Sequence, residues 1–63
     1  MDKQKEYDNA INAFNKAIEA EPRNVEFLKN RSLCYFDMGE YQNSIDDLQS
    51  ALEINSKDAQ LLY

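Results

Sequence analysis

Apolar residues recur along this chain at intervals of three and four, the spacing that gathers them on one side of an α-helix. The first stripe holds Tyr7, Ala10, Ile11, Phe14, Ala17 and Ile18. Pro22 closes it, because proline has no N–H for the preceding turn and its ring collides with that turn. A helix from about Asp2 or Glu6 to Ala20 is predicted. The next stripe predicts a helix from about Val25 to Met38, with Phe27, Leu28, Cys34 and Tyr35 toward its neighbours. Asn24 suits its N-cap, and Gly39, free to take positive φ, suits its end. A third helix, Tyr41 to about Ile54, carries Ile45, Leu48, Ala51, Leu52 and Ile54. The polar run Asn55-Ser56-Lys57-Asp58 reads as a connector, and a fourth helix is expected to begin near Asp58 with Ala59, Leu61 and Leu62.

The first and third stripes are copies. Glu6-Tyr7-Asp8-Asn9-Ala10-Ile11 returns as Glu40-Tyr41-Gln42-Asn43-Ser44-Ile45, 34 positions later. The match continues through Ala17/Ala51, Ile18/Leu52 and Glu19/Glu53, and Leu61-Leu62 repeats Phe27-Leu28 at the same interval. A fixed interval of this size marks a supersecondary unit that buries its apolar side only when its neighbours cover it. Small Ala10, Ala17, Ser44 and Ala51 allow helix backbones to approach closely, while Tyr7, Phe14, Tyr35, Tyr41 and Leu48 are expected to fill the gaps.

The interval and the residues along it resemble the tetratricopeptide repeat, whose pattern is W-x2-L-G-x2-Y, then A-x3-F and a later P. Leu28 takes the Trp place, Arg31 the Leu place, Ser32 the Gly place and Tyr35 the Tyr place. Gly39 and Tyr41 fit, Ser44 stands for Ala, Leu48 for Phe, Ala51 for a second Ala and Ser56 for Pro. In the preceding half-repeat Tyr7, Ala10, Phe14, Ala17 and Pro22 all match. Arg31 departs by placing a charge among packed positions, and Lys5 departs by replacing the turn Gly.

The resemblance implies an all-α solenoid of antiparallel hairpins in a single domain, residues 1–63. Residues 1–24 would be the second helix of a partial repeat, 25–58 a full repeat and 59–63 the start of another. It also implies a concave face where a peptide or helix of a partner protein is held. Here that face would be presented by Glu26, Lys29, Asn30, Leu33, Phe36 and Asp37, with Gln60 and Tyr63 from the following helix. Asn30-Arg31-Ser32 is similar to the segment of the repeats that clamp the acidic tails of Hsp70 and Hsp90 chaperones, Asn30 being the amide that meets the terminal carboxylate. The clamp's earlier Lys and Asn belong to a first helix not in this sequence, and Gln60 stands where its later Lys would be.

Composition narrows the alternatives. With 63 residues, a single Cys34 and no His, neither an internal disulfide nor the usual zinc-ligand sets can staple a small core. Self-association through uncovered end helices is therefore a second expectation, with an architectural role as its functional form. A net charge of −5 and scattered basic residues oppose nucleic-acid binding, and no apolar run reaches membrane-spanning length, so the cytoplasm or nucleus is the expected location. No cofactor and no enzymatic activity are expected: Cys34 has no His to activate it and reads as a packed small hydrophobe. Asp46 and Asp47 point about 100° apart on a helix and read as solvated surface.

Overall fold

The computed structural model describes residues 3–61, with side chains through residue 56. Three helices follow one another: α1 (Lys3–Ala20), α2 (Val25–Met38) and α3 (Tyr41–Leu61). Lys5 does not break α1, which runs back to Lys3 as an unpunctuated start permits. The reversal into α2 passes through Pro22, with the Asn24 N–H donating to the Glu21 carbonyl at 3.1 Å. Asn24 then caps α2, its side-chain oxygen accepting from the Glu26 N–H at 3.0 Å. Gly39 ends α2 at φ 85°, in the left-handed region. Its N–H donates to Phe36 O at 3.0 Å and that of Glu40 to Tyr35 O at 2.8 Å, the paired bonds of a Schellman stop.

Both connections are short, so α2 packs against α1 on one side and α3 on the other. Among the described residues no such packing joins α1 to α3. Small side chains set the α2–α3 approach: Ser32, Ser44 and Ala51 are buried, with Leu28 beside them, and Ile11 is the buried anchor of α1. The Ser32 hydroxyl donates to the Lys29 carbonyl at 2.6 Å, so its burial leaves nothing unpaired.

Two expectations are corrected here. The connector at Asn55-Ser56-Lys57-Asp58 and a separate fourth helix are not seen, because α3 continues unbroken to Leu61. Ser56 stands at the proline place and keeps its N–H, and no glycine follows, so nothing local stops the helix. Tyr41 and Leu48 are expected to fill gaps between helices, yet both are exposed, as are Ile45 and Leu52 on the same stripe. Among the described residues α3 packs only against α2; Tyr41 and Leu48 meet the margin of α2, at Phe36 and in the groove beside Leu33, and are left largely uncovered.

Candidate functional site

The centre of the molecule is a polar junction on α2. Arg31 Nε donates to Asp47 Oδ2 at 2.7 Å and Nη2 to Asp47 Oδ1 at 2.6 Å, a bidentate pair across the α2–α3 interface. Its remaining amino group, Nη1, donates to the Asn15 side-chain oxygen of α1 at 2.7 Å. The guanidinium carbon also lies 5.7 Å from the centre of the Tyr35 ring. One side chain on the middle helix thus bonds to both flanking helices. The hydrogen bond that Arg31 donates to Asp47 raises the Arg31 pKa above its ordinary value against the opposing effect of burial, so the cation persists at every physiological pH.

Asp47 is buried, which corrects its reading as solvated surface; the neighbouring Asp46 is exposed and accepts from Gln42 at 3.1 Å. Sequence reasoning also missed Asn15. A signal was present: Asp47 falls on the face of Ser44 and Ala51, three and four residues away, where a lone carboxylate demands a partner. Arg31, at the place usually held by Leu, is that partner.

With its roll fixed by this junction, α2 turns the opposite face outward. Glu26, Lys29, Asn30, Leu33, Phe36 and Asp37 all lie on α2 and all are exposed. Leu33 and Phe36, with Lys29 and Ser32, meet Ser44 and Leu48 of α3 around an apolar groove of about 470 Å³. Phe36 reaches Tyr41 edge-on at 5.2 Å between ring centres, tying the groove to the start of α3. Gln60 lies on the continuation of α3 instead of a following helix, and Tyr63 lies outside the described residues.

Burial, and after it the charge of Asp37, pushes the Cys34 thiol above its ordinary pKa, which keeps it protonated and a poor nucleophile. A second, more polar hollow of about 550 Å³ lies where the N-terminal turns of α1 and α3 meet the end of α2. Its amides and carboxylates bond within single helices, Gln4 to Asp8 at 3.1 Å and Asn43 to Glu40 at 3.5 Å. Among the described residues no group of acidic and thiol side chains could hold a metal ion, and no helix is long and apolar enough to cross a membrane.

The family model described as anaphase-promoting complex, cyclosome, subunit 3 matches residues 3–63. A relative from Mycosarcoma maydis, small glutamine-rich tetratricopeptide repeat-containing protein 2, is 36% identical over 53 residues, 84% of this chain and 15% of its own. The chain belongs to this tetratricopeptide repeat family. It is also similar to the Hsp70-Hsp90 organizing protein of Triticum aestivum, at 35% identity over 51 residues, 81% of this chain and 9% of that one. Serine/threonine-protein phosphatase 5 of Homo sapiens is 38% identical over 55 residues, 87% of this chain and 11% of the phosphatase. The chain therefore spans a small part of each of these relatives. No solved structure matches it. Tetratricopeptide repeats are a non-catalytic interaction fold, and the observed helices, turns and small packing residues are those of one full hairpin with a flanking helix.

Proposed function

We propose that this tetratricopeptide repeat chain holds a peptide or helix of a partner protein against the outward face of α2, and that it does so without catalysis. The observation that carries this reading is the pairing of a fixed helix with an uncovered binding chemistry. Arg31 holds α2 to α1 and α3, while Leu33 and Phe36 stand exposed between Lys29 and Asn30 on one side and Asp37 on the other. Apolar anchors flanked by polar groups on a rigid element are what specific recognition needs.

A narrower form of the same reading is a carboxylate clamp for acidic C-terminal tails of Hsp70 or Hsp90. It is favoured by exposed Asn30 beside exposed Lys29, and by relatives whose name is Hsp70-Hsp90 organizing protein. In such a complex the Asn30 amide and Lys29 ammonium would meet the terminal carboxylate, and Arg31, occupied by Asp47 and Asn15, would act only by positioning them.

Titration of the ¹⁵N-labelled chain with peptides ending in acidic residues tests both forms. Saturable shifts at Lys29, Asn30, Leu33 and Asp37 are expected for the clamp. Shifts at Leu33 and Phe36 with a different partner segment would support the broader module alone. If signals move only on dilution of the chain, chiefly at Tyr7, Phe14 and Leu62, the architectural self-association reading replaces both.

A further inference from the structure

The seam where α1 and α3 flank α2 holds one cation and then runs on without another. At the junction the Arg31 guanidinium takes an amide oxygen from α1, Asn15 at 2.7 Å, and a carboxylate from α3, Asp47 at 2.6 and 2.7 Å, with the Tyr35 ring centre 5.7 Å from its carbon. Three and seven residues back along α1 stand Asn12 and Asp8, and four and seven residues back along α3 stand Asn43 and Glu40. One and two turns onward, α2 offers Tyr35 and Met38 where a second cation could have stood. These six residues line the polar hollow of about 550 Å³. Its walls thus repeat the amide and carboxylate that hold Arg31, and the same aromatic ring lies between them. Among the described residues that line it, none is Lys or Arg. We propose that this hollow is a binding site for the guanidinium of an arginine in a peptide segment of another protein.

The occupied part of the seam says which chemistry the empty part suits. An arginine is apolar along its stem and planar and charged at its head, so one side chain can use both a greasy floor and polar walls. Tyr35 and Met38 are half-buried and give the stem a surface, while Asp8 and Glu40 are exposed beside them. Asp8 accepts from Gln4 at 3.1 Å and Glu40 from Asn43 at 3.5 Å. Those amides are neutral, and a carboxylate has about four lone-pair positions, so each acid keeps its charge and room for a forked donor. Lys5, the nearest cation along α1, is not among the lining residues.

A lysine is the weaker occupant, because an ammonium is a hydrated point charge and lacks the planar fork with which Arg31 reaches two helices at once. A second copy is the weaker source. The chain has two arginines, of which Arg31 is held in its own junction and Arg23 is also engaged. The hollow shares no lining residue with the apolar groove of α2, so it stands whether or not the α2 face binds a partner.

The test titrates the full chain, labelled with ¹⁵N and ¹³C, with the peptide acetyl-Ala-Ala-Arg-Ala-Ala-amide and with its citrulline counterpart, which keeps the shape and loses the charge. Saturable shifts of the Asn12 and Asn43 side-chain amides and of the Met38 methyl are expected with the arginine peptide and not with citrulline. Glu40→Gln should weaken binding by about threefold or more, the size expected for one exposed charge pair. Asp8→Asn serves as the second variant should the first not fold. The proposal is overturned if the citrulline peptide binds equally, if Glu40→Gln binds as tightly as the parent chain, or if no saturable shift is seen. Shifts gathered at Lys29, Leu33 and Phe36 would place the peptide on the α2 face and overturn it as well. So would movement of the Asn12, Asn43 and Met38 signals on concentrating the chain alone, which would assign the hollow to a second copy.

Discussion

Replacing Asp47 by Ala is expected to cost about 3 kcal/mol, the lower end of the loss when one partner of a buried ion pair is removed. The lower end applies because the Arg31 side chain is 20% exposed and the Asp47 side chain 8%. In Asp47→Ala the guanidinium loses both of its bonds to α3 and keeps only Asn15. A 63-residue domain at about 0.05–0.15 kcal/mol per residue has only about 3–9 kcal/mol in total, so this one change removes about a third of its stability or more. The double variant Arg31→Leu/Asp47→Ala should recover much of this, since no buried charge is then left without its partner, although the smaller apolar pair leaves some space unfilled. Urea unfolding followed by far-UV circular dichroism would measure the cycle, with a coupling of about 2 kcal/mol expected. A double variant as unstable as Asp47→Ala would remove the ion pair from the account.

The second large effect separates two leucines that look alike in the sequence. Leu28 is buried between helices, and Leu28→Ala should cost about 3 kcal/mol through lost contacts and a residual cavity. Leu52 sits on an equally regular stripe but is largely exposed, and Leu52→Lys should change stability by no more than about 0.5 kcal/mol. The same denaturation experiment reads both. Comparable losses at the two sites would mean that α3 has a further neighbour in solution.

That contrast shows what could be read from the residues and what could not. The helix spacing, the Asn24 cap and the Gly39 stop are local properties, and α2 begins and ends where they place it. The hairpin order also followed from the repeat, because each connection is too short for anything but adjacent packing. Burial was different. Whether Tyr41 or Leu48 is covered depends on a neighbour, and a periodic stripe records only that a neighbour would fit. The end of α3 was misplaced for a related reason: polar residues permit a turn, but without Pro or Gly they do not impose one. The six α2 residues of the candidate face were legible as one helix side, whereas the junction that orients them required seeing Arg31, Asp47 and Asn15 as partners across three helices.

The claim that everything else depends on is that α2 is held between α1 and α3 by that junction. Nuclear Overhauser contacts from the Arg31 Nε–H answer it directly in the intact chain. Cross-peaks to Asp47 on α3, together with contacts from the Arg31 amino protons to the Asn15 side chain on α1, are predicted. An Arg31 side chain whose protons exchange rapidly with water and meet only residues of α2 would contradict the arrangement.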